Sequence, residues 1–141
     1  MGVADVVREL DLERHPEGGW FRETWRGPDG PGGRPVGTSI LYLLGADEGS
    51  AWHRIDADEV WHFHAGAPLE LDVSLDGVSR SRTILGRAVD GSELPQAVVP
   101  AGAWQSARTR GEWTLVGCTV APGFVDEGFE LAPPGWEPPG R

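Results

Sequence analysis

Residues 50–66 read SAWHRIDADEVWHFHAG and place three histidines, two aspartates and a glutamate among aromatic side chains. Such a stretch fits a metal site, an acid–base pair or a strand that carries polar side chains. Side chains alternate between two faces along a strand, so an inward Glu59 shares its face with Trp61 and Phe63. We therefore predict a strand, a bend and a second strand, with both histidines of HFH at the surface or at a subunit interface.

Short β-rich runs continue on both sides of this stretch, and turn residues separate nearly all of them. The runs are GWFRETW, VGTSILYLL, SAWHRI, EVWHFH, LELDVSL, RTILG, PQAVVP, EWTLVGCTV and FVDEGFEL. About eight or nine strands at this spacing predict an all-β antiparallel sandwich or barrel.

The two ends of the chain differ from this β-rich body. Near the amino terminus Val3, Val6, Val7 and Leu10 recur at helical spacing, and HPEGG ends the pattern, so we predict one short helix over 1–14. A proline-rich tail at 132–141 is expected to drape over the body. The length of 141 residues suits a single domain.

Charge and composition exclude several classes of partner. The net charge of −10 comes with 12 arginines and no lysine, and no clustered basic face is visible, so nucleic acid is not expected. Cys118 is the only cysteine, which rules out an internal disulfide framework. No apolar run reaches the length of a membrane span, and the first ten residues lack the pattern of a signal peptide. We expect a cytoplasmic protein with no membrane partner.

Two segments resemble the cupin motifs. In the first motif a His-x-His is followed by three or four residues, a Glu, six further residues and a Gly, and here His53, Ile55, Glu59 and Gly66 take the four fixed positions. The second motif, Pro-x-Gly-x-x-His, resembles PAGAWQ at 100–105, where Gln105 replaces the histidine.

The resemblance narrows when longer blocks are included. HPEGGWFRE, TSILYLL, WHRIDADEVWHFHAGAPLEL, PQAVVPAGAWQSA and LVGCTVAPGF follow one another as in a small cupin family of unknown function, which is similar in structure to deoxysugar-nucleotide 3,5-epimerases. This resemblance implies a single-domain jelly-roll β-barrel, a homodimer, and a small-molecule pocket in the barrel mouth.

The departures from the cupin motifs argue against a resident metal. Metal-binding cupins present three His and one Glu, whereas this chain offers His53, Ile55, Glu59 and Gln105. An Ile side chain has no lone pair, and an amide oxygen is a poor ligand for the metals that imidazole suits. We therefore predict no metal and no other cofactor, although His15 could complete a ligand set.

A His/Glu pair in an apolar pocket suits proton transfer, because burial and mutual interaction shift both pKa values. In the epimerases that the family resembles, a metal-free His removes a proton next to a carbonyl and a Tyr returns one. We assign His53 as general base, Glu59 as its orienting or charge-stabilising partner, and Tyr42 as candidate acid. The alternatives are a purely structural His53–Glu59 pair and a core Tyr42 whose hydroxyl is satisfied at the barrel rim.

Five further residues are predicted to bind the ligand. Trp61 and Trp104 adjoin the two motifs and could stack on a sugar or a base, Gln105 would lie beside Glu59 and His53, and Glu17 and Arg22 could meet polar groups of a ligand.

Two classes of function follow from these assignments. The first is a metal-independent isomerase or epimerase that acts on a proton next to a carbonyl of a sugar or sugar nucleotide. The second is a non-catalytic small-molecule-binding barrel that uses the same pocket. A metal-dependent cupin enzyme is a third alternative, but the ligands that it needs are missing. The fold alone does not choose among them.

Overall fold

The computed structural model describes residues 1–140. It contains one α-helix and eleven β-strands. The elements are α1 (Val3–Leu10), β1 (Glu13–Arg14), β2 (Trp20–Arg26), β3 (Thr38–Gly45), β4 (Gly49–Ile55), β5 (Asp58–Gly66), β6 (Leu69–Ser74), β7 (Ser81–Leu85), β8 (Gln96–Val99), β9 (Trp104–Thr109), β10 (Trp113–Ala121) and β11 (Phe129–Leu131). Among residues 1–140, no helix is both long and apolar enough to cross a membrane.

The strands form two antiparallel sheets. A six-stranded sheet has the order β1-β2-β3-β10-β5-β8, and a five-stranded sheet has the order β11-β4-β9-β6-β7. In each sheet some neighbouring strands are distant in sequence, as in β3 with β10 and β4 with β9, so both sheets depend on long-range pairing. This architecture confirms the prediction of an all-β jelly-roll with one short helix.

The hydrophobic core lies between the inner faces of the two sheets. Alternation along β3, β5 and β10 sends every second side chain inward, where large apolar groups exclude water. Buried members of this core are Tyr42, Leu44, Trp61, Leu69, Leu71, Leu85, Val99, Val116 and Cys118.

Helix α1 covers part of the outer face of the six-stranded sheet. Its apolar stripe packs through Val6 against Leu43 of β3, with Val3, Val7 and Leu10 alongside. The helix is shorter than the predicted 1–14, because Asp11 adopts a left-handed conformation at φ 55° and ends it. The chain then continues as the two-residue strand β1, which pairs with β2.

The strands differ from the predicted runs in two places. The run WQSART, which carries Gln105, forms strand β9, although its polar and small residues gave no strand signal. The predicted strand FVDEGFEL is a strand only at Phe129–Leu131, since residues 126–128 form a 3₁₀ turn.

The proline-rich tail lies across the outer face of the five-stranded sheet. Its Trp136 ring contacts Trp104 and Trp52, with centroid distances of 4.8 and 6.1 Å. The backbone N–H of Gly140 donates to the carbonyl of Val78 at 2.7 Å, which fixes the far end of the tail.

Candidate functional site

A cavity of about 350 Å³ opens between the two sheets. Its walls are largely apolar side chains of β2, β3, β4, β10 and β11. Four histidine or glutamate side chains form its polar end, one on β4, one on β5 and two on the segment between β1 and β2. The lining residues are His15, Pro16, Glu17, Phe21, Glu23, Thr38, Ile40, Tyr42, His53, Ile55, Glu59, Cys118, Val120, Phe124, Asp126 and Phe129. The cavity therefore combines a hydrophobic wall with a small group of titratable side chains.

The segment HPEGG at 15–19 delivers two of these titratable groups. Gly18 and Gly19 both have positive φ, and a Cβ on Gly19 would lie 2.6 Å from the carbonyl oxygen of Leu43. Only glycine adopts this backbone at such close approach without strain. The backbone N–H of Ala51 donates to the carbonyl of Glu17 at 3.0 Å, which ties the segment to β4. As a result, the Glu17 side chain is held inside the barrel.

His53 has a defined proton position. Its Nδ1 lies 2.7 Å from the carbonyl oxygen of Ala51, and a carbonyl only accepts, so Nδ1 carries the hydrogen. In the neutral ring Nε2 then presents a lone pair, and Glu17 Oε2 lies 3.1 Å from it. Burial lowers the pKa of His53, opposed by the negative charge of Glu59. His53 is therefore a neutral imidazole that accepts at Nε2.

Glu17 is the matching donor. Burial raises the pKa of its carboxyl to about 8, against the opposing effect of the nearby Ser50 and Tyr42 hydroxyls. At neutral pH the carboxyl keeps its proton, and the 3.1 Å contact lets it donate a hydrogen bond to the lone pair of His53 Nε2. Glu17 was predicted only as a ligand-binding residue. It occupies the position beside His53 that was predicted for Glu59.

Glu59 interacts with different side chains. Its Oε1 accepts from Gln105 Nε2 at 2.8 Å, and Gln105 Oε1 accepts from the indole N–H of Trp61 at 2.8 Å. Because an indole N–H only donates, Trp61 fixes the orientation of the Gln105 amide. Burial raises the pKa of Glu59 to about 7, and the proximity of His53 lowers it. The Cys118 thiol is a further hydrogen-bonding neighbour of the Glu59 carboxyl, and Glu59 lines the cavity.

Tyr42 and His15 complete the polar end of the cavity. The Tyr42 hydroxyl donates to the carbonyl of Gly18 at 2.6 Å, and this hydrogen bond anchors the HPEGG segment to β3. This hydrogen bond agrees with the alternative of a satisfied hydroxyl, and the role of Tyr42 as an acid stays a prediction. The His15 ring lies 5.0 Å from that of Tyr42, and its Nδ1 accepts from the backbone N–H of Glu17 at 3.1 Å. Burial lowers the pKa of His15 to about 4.

Cys118 is a cavity residue that the sequence analysis did not select. It lies on β10 opposite Trp61 of β5, and burial raises the pKa of its thiol well above the usual range. Phe124 and Phe129 also line the cavity, although the sequence predicted them only as part of a strand. Their inward orientation depends on the 3₁₀ turn between them, which no periodic pattern reveals.

The remaining predicted ligand-binding residues lie outside the cavity. Trp61 and Gln105 are fully buried behind Glu59, at 1% exposure each, and act through hydrogen bonds. Arg22 points away from the cavity, and its Nε donates to the carbonyl of Leu10 at 2.8 Å. Trp104 lies on the outer face of the five-stranded sheet beneath the Arg54 guanidinium, 4.5 Å from the ring centroid. These positions do not support a role for Trp104 or Arg22 in ligand contact.

The donor set does not fit a metal ion of the kind that cupin folds often hold. Ile55 offers no donor atom, and the Gln105 amide is occupied by Trp61 and Glu59. Both ring nitrogens of His53 are also engaged. Over the described range 1–140, no three His, Cys, Asp or Glu side chains are grouped so that they could hold a metal.

A family model described as the cupin superfamily (DUF985) matches residues 4–132. The chain belongs to this family. The cupin membership predicted from residues 53–66 and 100–105 is thereby confirmed, and the match covers all of the elements that form the cavity. No functionally curated protein matches the sequence.

Solved structures similar to this cupin share its fold over nearly the whole chain. A hypothetical protein from Leishmania major is 32% identical with a TM-score of 0.85, and the alignment covers 94% of this chain and 88% of that one. Protein SO0799 from Shewanella oneidensis is 36% identical with a TM-score of 0.87, covering 94% and 85%. Oxalate decarboxylase from Bacillus subtilis, at 15% identity and a TM-score of 0.63, covers 86% and 30% and shows the common fold alone.

Proposed function

We propose that this cupin binds a small molecule of sugar size and moves a proton on the carbon next to a carbonyl group, as a metal-independent isomerase or epimerase. The observation that carries the proposal is the 3.1 Å contact between Glu17 and His53 beside Glu59, inside a cavity with apolar walls. A dry cavity strengthens the interactions of such groups and brings their pKa values toward neutrality.

We propose that Glu59 and Glu17 carry out the two proton transfers, in place of His53 and Tyr42. Glu59 has a pKa of about 7 and lines the cavity, so we assign it as the group that accepts the C–H proton. The electron pair of that bond moves onto the carbonyl oxygen, which takes the proton of Glu17 and becomes an enol hydroxyl. His53 positions Glu17 and retains the hydrogen on Nδ1. Return of the Glu59 proton to the neighbouring carbon, while the Glu17 carboxylate takes the proton of the hydroxyl group on the first carbon, gives the aldose–ketose isomer with no net change in protons. Epimerisation at the first carbon instead needs a proton from solvent on the opposite face of the enol.

A proton-exchange experiment tests this proposal. Neutral ketoses, aldoses and simple ketones are incubated with the protein in heavy water, and NMR follows the loss of hydrogen next to the carbonyl. We expect exchange with at least one compound, and Glu59→Gln should slow it by about a hundredfold or more, the usual contribution of a general base. Arg22→Ala is the matched control, since its side chain points away from the cavity, and it should exchange at the wild-type rate.

The second candidate function is a binding barrel without catalysis. It is favoured by the number of cavity groups that already have partners within the protein, such as the Tyr42 hydroxyl and the Gln105 amide. Stabilisation of the protein by a compound that shows no exchange in wild type would support this candidate and contradict the isomerase.

A further inference from the structure

The cavity contains acids but no fixed positive charge. Glu17 and Glu59 lie at its polar end, and Glu23 and Asp126 are exposed lining residues at its mouth. None of the arginines in residues 1–140 lines it. Its two imidazoles have lowered pKa values through burial and are neutral at physiological pH. The interior therefore has no side chain that could neutralise an anionic group.

The backbone does not supply an anion site in place of side chains. Phosphate groups are held by Arg, by Lys or by several free backbone N–H groups. Here the N–H of Glu17 donates to His15, that of Gly18 donates to the His15 carbonyl, and that of Phe124 donates to Thr38 Oγ1. These three N–H groups are therefore already used within the protein.

The mouth adds negative charge. Glu23 is paired with Arg26 through two contacts of 3.0 Å, which offsets its charge. Asp126 forms no ion pair with any residue of the described part of the chain, so no neighbouring cation offsets its negative charge. The whole chain also carries a net charge of −10, so the long-range field opposes the approach of anions.

From these observations we infer that the cavity selects a compact ligand without negative charge and excludes compounds that carry phosphate or carboxylate groups, sugar nucleotides included. This inference rests on the proposed role of the cavity as the ligand site, and it narrows the substrate to neutral carbonyl compounds such as free sugars. The acids that perform the proton transfer are also the groups that reject anions.

Cys118 allows a test that needs no substrate. It is the only cysteine and it lines the cavity. Three methanethiosulfonate reagents that transfer a neutral, a cationic or an anionic group are compared, and mass spectrometry gives the rate of disulfide formation at Cys118. Each rate is divided by the rate with the same chain unfolded in urea. The fraction of Cys118 that is ionised in the folded protein does not depend on the reagent, so it cancels when the three corrected rates are compared.

We expect the anionic reagent to react at least about tenfold more slowly than the neutral one after this correction. Asp126→Asn should raise the rate of the anionic reagent. Asp90→Asn is the matched control, because it removes the same charge from an exposed loop outside the cavity, and it should have a smaller effect.

Equal corrected rates for the anionic and neutral reagents would overturn the inference. Resistance of Cys118 to all three reagents would overturn it too, since the cavity would then admit no solute. Failure of the isomerase proposal is recognised separately: the reagents would still discriminate by charge, but no carbonyl compound would exchange its hydrogen.

Discussion

The contact with Glu17 determines how the His53 imidazole can take part in proton transfer. An imidazole buried alone would be inert, whereas a carboxyl 3.1 Å from Nε2 shares a proton with it. Burial keeps that proton on the protein up to a pH of about 8, because the pKa of Glu17 is raised to that value. The residue therefore links the stability of the fold to the protonation of the site.

The sign of this linkage is opposite to that of an ordinary surface carboxylate. The folded state holds the Glu17 proton more tightly than the unfolded chain, so this group's contribution to stability falls as pH rises from the usual carboxyl range to about 8. His15, whose folded pKa is about 4, and His53, whose pKa is also lowered, act in the other direction, with stability gained as pH rises toward their usual range.

Glu17→Gln tests this linkage. Glutamine does not titrate, so the variant should gain stability relative to wild type between about pH 6 and pH 9, on the order of 2 kcal/mol. Urea denaturation at several pH values measures the difference. Glu137→Gln, an exposed change of equal charge, should show little pH dependence. A flat difference for Glu17→Gln would contradict the raised pKa.

At the scale of single elements, the HPEGG segment shows how backbone conformation places side chains. Gly19 and Gly33 have similar positive φ values, 83° and 78°. A Cβ on Gly19 would meet the Leu43 carbonyl oxygen at 2.6 Å, whereas nothing lies within 4 Å of one on Gly33. The two glycines therefore share a conformational requirement and differ in packing.

We predict that Gly19→Ala destabilises the protein by about 3 kcal/mol or more, since the backbone must move and take Glu17 with it. Gly33→Ala should cost about 1 kcal/mol, the penalty of the left-handed conformation alone. Chemical denaturation of both variants gives the comparison. Equal losses would mean that the HPEGG segment is not held tightly against β3.

The pairing of β4 with β9 allows a second element-scale test. His53 lies directly opposite Gln105, and Ile55 and Glu59 line the same cavity. Replacing Ile55→His and Gln105→His together should create three imidazoles and one carboxylate around one point, able to hold zinc at distances of about 2.0 to 2.1 Å.

Calorimetric titration should show much tighter binding of zinc by the double variant than by wild type, with each single variant intermediate. The change also removes the Trp61–Gln105–Glu59 hydrogen bonds, so the metal-free variant should be less stable by about 1 to 3 kcal/mol. A folded double variant without gain in zinc affinity would show that these four side chains do not converge.

The sequence predicted the elements whose pattern is local. The alternation in β5 placed Glu59 and Trp61 inward and His64 outward, as the structure has them. Strand β9 was not predicted, because Gln105 and its neighbours are polar and do not form a β-rich run. The partner of His53 was missed for a different reason: Glu17 is 36 positions away and reaches the cavity only through a segment that looked like the end of a helix.

For the molecule as a whole, the carboxyl-terminal tail acts as a strap over the five-stranded sheet. Its hydrogen bonds at Ala132 and Gly140 and the contacts of Trp136 hold it on the side away from the cavity. The tail therefore stabilises the barrel without entering the site.

Trp136→Ala should lower the free energy of unfolding by about 1 to 3 kcal/mol, the cost of losing a half-buried aromatic contact. Modification of Cys118 by the neutral thiosulfonate should keep its wild-type rate. Thermal or urea denaturation measures the first quantity and mass spectrometry the second. A large change in the reactivity of Cys118 would mean that the tail shapes the cavity.

The contact of Trp136 with Trp104 and Trp52 gives the protein an optical property. The Trp104 and Trp136 rings are 4.8 Å apart and inclined at 46°, and Trp52 is nearly perpendicular to Trp136 at 88°. Indole chromophores that are close and skewed couple their electronic transitions, which produces paired bands of opposite sign in circular dichroism. The docked tail should therefore be visible as an exciton couplet superposed on the β-sheet spectrum, and release of the tail should erase the couplet while the backbone signal persists.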